Sequence, residues 1–113
     1  MTLDEIKRLH KKAGGAFFDP GSMRFFCSRI SSKTKTLPTG ESLFITSEQF
    51  KFLGKSEPRR YSIRCFDPET PHDIYPMGEF QQFKSHGEAQ RMVNKTATIE
   101  DVKEYNRSLD ISF

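Results

Sequence analysis

The sequence predicts an α+β domain: a small antiparallel β-sheet of three to four strands packed with an N-terminal helix and two C-terminal helices, with residues 1–113 forming a single domain. Three observations carry this reading. The helix-start patterns Thr2-x-x-Glu5, Ser85-x-x-Glu88 and Thr98-x-x-Asp101 each precede apolar residues at helical spacing. Residues 60–66 alternate apolar and basic side chains with the period of a strand. The run Asp67-Pro68-Glu69-Thr70-Pro71 is a turn that sends the next segment back antiparallel.

In chain order, residues 2–13 form the first helix, because Leu3, Ile6 and Leu9 repeat at helical spacing and Gly14-Gly15 ends it. Its basic residues gather toward the C-terminus, where the helix dipole favours cations. Residues 16–30 fit either a strand or a short helix around the turn signal Asp19-Pro20-Gly21. Residues 31–41 are polar and read as an exposed loop. A strand over 43–46 follows, and Ser47-Glu48-Gln49 reads as a cap into one or two helical turns ending at Gly54. In the strand 60–66, Tyr61, Ile63 and Cys65 share one face while Arg60, Ser62 and Arg64 share the other. Residues 74–83 return beside it, broken by Pro76 and Gly78 near an edge or bulge. The last two helices carry Ala89, Met92 and Val93, then Ile99, Val102, Tyr105 and Leu109.

Composition narrows the classes of function. Of 113 residues, 35% are apolar and 29% charged, and no run approaches the roughly 18 apolar residues of a membrane span. The opening Met-Thr-Leu-Asp-Glu is acidic where a secretory signal is basic, which predicts a cytoplasmic protein without membrane attachment. With 11 Phe and no Trp, phenylalanine is expected to carry much of the core. Cys27 and Cys65 have no CxxC or ligand spacing and are expected to be reduced, buried thiols. His10, His72 and His86 fall on separate elements, so no metal site is expected. No P-loop or GxGxxG follows a strand, so no cofactor is expected, and Glu100-Asp101 is explained by its place in a helix's first turn. No catalytic residue is assigned, and the protein is expected not to be an enzyme.

Charge is the more informative signal. Residues 1–36 hold 8 basic and 3 acidic side chains, whereas residues 37–113 hold 10 basic and 12 acidic. The N-terminal excess predicts a binding surface built from Lys11, Lys12, Arg24, Arg29, Lys33 and Lys35, joined by Arg59, Arg60 and Arg64 on the polar face of the sheet. The arginines are the leading candidates, because a planar guanidinium engages phosphate or carboxylate in a bidentate way. Lysines on a helix or loop can equally be solvated charge. Met23-Arg24-Phe25-Phe26-Cys27-Ser28-Arg29 interleaves aromatic and basic residues, as stacking platforms of single-strand binders do. As a strand it would put Phe25 and Phe26 on opposite sides.

The order helix, three strands, helix looks like a double-stranded RNA-binding domain. However, Ser85-His86-Gly87-Glu88-Ala89-Gln90-Arg91 stands where that family carries its lysine cluster, and a further helix follows. A likeness over most of the chain rests on Gly14-Gly15-Ala16-Phe17-Phe18, Met23-Arg24-Phe25-Phe26-x-Ser28-Arg29, Phe44-Ile45-Thr46-Ser47-Glu48-Gln49-Phe50, Arg59-Arg60-Tyr61-Ser62-Ile63-Arg64 and Gly78-Glu79-Phe80-Gln81. Together these segments resemble a family of small uncharacterised accessory proteins carried by bacteriophages, prophages and plasmids. The resemblance implies a binder of host machinery, such as an inhibitor of CRISPR or another nucleoprotein defence complex, and it carries no catalytic residue across.

The expectation is therefore a non-enzymatic protein that engages nucleic acid or a host nucleoprotein complex through Arg24, Arg29, Arg59, Arg60 and Arg64. The alternative is a protein-interaction module with an exposed Phe-rich surface that includes the tail, residues 109–113. A partly protected strand edge at Pro76 and Gly78 also offers a homodimer contact.

Overall fold

A computed structural model describes residues 1–25 and 28–111. Among these the chain forms, in order, α1 (Leu3–Lys12), α2 (Pro20–Phe25), β1 (Arg29–Thr36), β2 (Ser42–Glu48), β3 (Lys51–Phe52), β4 (Lys55–Ser56), β5 (Arg60–Phe66), β6 (Tyr75–Met77), α3 (His86–Lys95) and α4 (Ile99–Ser108). β1, β2, β5 and β6 lie in that order in one sheet, every neighbouring pair antiparallel, and β3 and β4 make a separate two-stranded hairpin. This is the α+β architecture that the patterning predicts.

Strand alternation sorts the core onto two faces. Leu43 and Ile45 of β2 pair with Cys65 and Ile63 of β5. They join Met77, Phe83 and the buried Ala89, Val93 and Val102 of α3 and α4 in an aliphatic cluster. Residues one step out of phase, Phe44 and Phe66, pack on the other face against Leu3 and Ile6 of α1, with Phe17 and Phe18 beside them. Phenylalanine thus carries the smaller cluster under α1, while Leu, Ile, Val and Met dominate under α3 and α4, and Phe50 and Phe80 are exposed.

Polar clasps fix both layers. Thr2 and Glu5 form the expected capping box on α1, and Thr98 and Asp101 form another on α4. Buried His10 reaches from α1 to the carbonyl of Pro71 through Nδ1 (2.8 Å), while its Nε2 accepts from the Phe17 amide (3.2 Å). Its ring lies against Gly15, where a Cβ would overlap it, so the Gly14-Gly15 turn needs no side chain at the second position. On the opposite side, buried Asn106 of α4 donates to the Pro76 carbonyl and accepts from the Gly78 amide, both at 2.8 Å.

Two segments depart from expectation. Residues 31–41 are not all loop: β1 runs to Thr36 as an edge strand paired only with β2, with a register irregularity between Ile30 and Thr34. An edge strand with one covered face tolerates Ser, Lys and Thr, so its sequence lacks an apolar alternation. Residues 47–54 do not turn into a helix, because β2 continues through Glu48 and the chain then forms the β3–β4 hairpin. Leu53 (φ 51°) and Gly54 (φ 77°) supply the two positive-φ positions of a tight two-residue hairpin turn. The ambiguous segment 16–30 resolves into α2 followed by the start of β1, so Phe25 is helical. Phe26, Cys27 and the last two residues of the predicted apolar tail, Ser112 and Phe113, lie outside the described residues.

Candidate functional site

On the α1 face of the sheet, Phe44, Thr46 and Glu48 of β2 register opposite Arg64, Ser62 and Arg60 of β5. The result beyond Phe44 is a polar floor inside the protein. The Glu48 side chain is 2% exposed and that of Arg64 16%, with Arg64 Nη2 3.3 Å from Glu48 Oε1. Glu48 also accepts from the hydroxyls of Thr46 (2.8 Å) and Ser62 (3.2 Å), and Arg64 Nε donates to Thr46 Oγ1 (3.2 Å). Burial pulls the Arg64 guanidinium below its ordinary pKa, while the Glu48 carboxylate opposes that shift.

The turn after β6 closes over this floor. The Gln81 amide donates to Ser62 Oγ (2.8 Å), and its side-chain Nε2 donates to the Glu48 carbonyl (3.3 Å). These bonds bring Phe80 over Arg64, whose guanidinium carbon lies 5.5 Å from the Phe80 ring centroid and 5.3 Å from that of Phe17. Between the two rings opens a cavity of about 610 Å³, lined also by Met23, Ser22, Ser28 and Glu48.

A second groove, about 450 Å³, adjoins the first and shares Met23 and Ser28 with it. Arg24 from α2, Arg29 at the start of β1 and Arg59 just before β5 line it together with Pro20. Arg29 registers opposite Ser47, and Arg59 Nη1 donates to Ser47 Oγ (2.9 Å), so both arginines flank the same end of β2. A third hollow, about 290 Å³, shares Arg29 and Arg59 and continues to Tyr61 and His86, whose rings meet edge to face at 6.0 Å. The three form one track with aromatic rings at both ends and three arginines between them.

Of the other predicted residues, Arg64 meets this track only as the floor of its first cavity, and the rest do not join it. Arg59 precedes the strand and does not share a face with Arg60 and Arg64, so the proposed Arg59-Arg60-Arg64 row does not form. Arg64 is a buried partner of Glu48 and not an exposed cation, because α1 and the segment through α2 cover that face of the sheet. Arg60 is half-buried, opposite Glu48. Lys11 pairs with Asp19 at 2.9 Å, and Lys12 is exposed at the end of α1. Lys35 donates to the carbonyls of Val93 and Asn94 at the end of α3 (3.1 and 3.0 Å), and Lys33 lines the same hollow beside Gln90. The basic residues are therefore divided among separate places, and the arginine groove is the one where three of them meet.

Sequence reasoning missed Glu48, Phe17 and Phe80. Glu48 is in phase with Phe44 and Thr46, which marks it as inward-facing once β2 is extended to its end. Other chemistry is sparse. Buried Cys65 has its thiol pushed up to about 12, chiefly by burial and then by Glu41 and Asp67, so it stays protonated at neutral pH. Among the described residues, no group of three or more His, Cys, Asp or Glu could hold a metal ion, and no helix is long and apolar enough to cross a membrane.

No curated protein and no solved structure matches the chain. Residues 2–94, which include every side chain of the arginine track, match the Family of unknown function (DUF7447), and the chain belongs to that family.

Proposed function

We propose that the protein is a non-enzymatic binding protein of a phage or other mobile element, working in the host cytoplasm. In this reading it holds nucleic acid, free or within a host nucleoprotein defence complex of the CRISPR type, in the groove of Arg24, Arg29 and Arg59. The observation that carries the reading is that three arginines from three separate segments line one groove. Planar donors gathered on one surface suit phosphate oxygens better than scattered lysines do. Fluorescence anisotropy with labelled nucleic acid tests it. Three phosphate contacts predict a loss of about 20- to 40-fold in affinity between about 50 and 200 mM salt. The triple variant Arg24→Ala, Arg29→Ala, Arg59→Ala should lose most of the affinity and of the salt dependence while keeping its circular dichroism spectrum. Binding unchanged in that variant overturns the assignment.

A second reading rests on the exposed Phe50 (37%), Leu53 (87%) and Phe80 (45%), with Phe50 and Phe80 in ring contact at 6.1 Å. Such a cluster at a hairpin suits a protein partner. Affinity for that partner would change little with salt, which separates the two readings. The eight-residue edge of β1 offers a second copy a place to pair, and sedimentation of the purified chain tests that contact.

A further inference from the structure

We propose that the track is built for a single strand of nucleic acid, with one unstacked base held at Phe80 in the cavity above Arg64. This deepens the nucleic-acid reading and rests on it. Duplex DNA and RNA present phosphates with their bases already stacked, so an arginine groove alone would serve them. The structure adds an aromatic-walled cavity of about 610 Å³ that shares Met23 and Ser28 with the arginine groove. A backbone lying on Arg24, Arg29 and Arg59 therefore has a hollow beside it that an extruded base can enter. Base and aromatic ring stack regardless of base identity, because every base has a π-face.

The floor suits a base better than a second phosphate. Arg64 is already matched by Glu48 at 3.3 Å, so the pair presents little net charge to an anion. A guanidinium carries five N–H donors, and Nε and Nη2 hold Thr46 and Glu48, which leaves hydrogen-bonding capacity for the edge of a base. At the far end of the track, Tyr61 and His86 offer a second ring surface past the arginines. Ring, cations and ring follow one another through three adjoining hollows, the first and third on opposite faces of the sheet, a path that a flexible strand can follow and a stiff duplex cannot.

The chain has no tryptophan, so Phe80→Trp places a single fluorescent reporter at the wall of the cavity. Titration uses oligo(dT) and oligo(rU) of about ten nucleotides, a length within the span one small binding fold covers, beside an abasic strand and a hairpin duplex. Both base-bearing strands, or the preferred one, should quench the tryptophan, whereas the abasic strand should bind without quenching it. In the unlabelled protein, Phe80→Ala should weaken single-strand binding by about 5- to 150-fold, the effect of losing one base–aromatic stack, and leave abasic binding unchanged. Equal affinity for duplex and single strand, with no quenching and no effect of Phe80→Ala, would overturn the base site while the arginine variant still loses binding. Absence of binding to every nucleic acid at low salt would overturn both readings together.

Discussion

Replacing Arg64 should damage the fold before it damages any binding surface. The variant Arg64→Leu leaves the Glu48 carboxylate, 2% exposed, with two hydroxyl donors and no counter-charge. At 3.3 Å and an effective dielectric of about 20, the lost attraction is about 5 kcal/mol. Removing one member of a buried pair typically costs about 3–5 kcal/mol, which is consistent with that figure. Glu48→Gln is milder, about 1–3 kcal/mol, because an amide oxygen still accepts from Thr46 or Ser62 and Arg64 retains some solvent. The double variant should be more stable than the sum of the two losses, by about 1–3 kcal/mol, since no unpaired charge remains inside. Urea denaturation followed by circular dichroism gives all three differences. Thermal melting gives a second measure, with Arg64→Leu expected about 15–30 °C below the parent chain. A loss under about 1 kcal/mol for Arg64→Leu, or simple additivity in the double variant, would refute the ion pair as a buried structural unit.

Gly15→Ala should cost about 3 kcal/mol, because its new methyl displaces the His10 ring and weakens the bonds to Pro71 and Phe17. Chemical denaturation measures this, and a neutral effect would mean the ring does not lock the turn. Acid should destabilise the chain through its helix caps. The carboxyl groups of Glu5 and Asp101 are held below their ordinary pKa, first by hydrogen bonds from the backbone of Thr2 and from that of Ala97 and Thr98, respectively. A folded pKa below the unfolded one means that stabilisation is present above about pH 4 and fades as pH falls through the folded values. The melting temperature of the Glu5→Gln, Asp101→Asn double variant should accordingly vary less between about pH 5 and 3 than that of the parent, and an equally steep profile would remove the caps as the cause.

Much of the fold was legible wherever a local pattern and the tertiary load coincide. β5 is covered on both faces, yet Tyr61, Ile63 and Cys65 meet the larger core, so their alternation shows in the sequence. The caps at Thr2, Ser85 and Thr98 are local hydrogen bonds and need no tertiary information. β1 was not legible, because its pairing with β2 is backbone chemistry that Ser, Lys and Thr satisfy as well as Val or Ile. The β3–β4 hairpin was hidden for a related reason: Ser47-Glu48-Gln49 has the composition of a helix cap, and only the phase of Phe44, Thr46 and Glu48 reveals a continuing strand.

The site was half legible, and the division has one cause. Residue type singled out arginine, but strand parity alone put Arg60 and Arg64 on a polar face without telling that α1 and α2 fold back over it. Once that face is covered, its charges must pair internally, which is why Arg64 meets Glu48, while Arg24, Arg29 and Arg59 line a groove at the rim. The buried pair also has a consequence at the rim. Glu48 and Ser62 hold Gln81, and Gln81 carries its neighbour Phe80 over the cavity. The hydrogen bonds beneath the cavity thus set the position of the ring that a base would meet, so the buried ion pair contributes a preorganised aromatic wall.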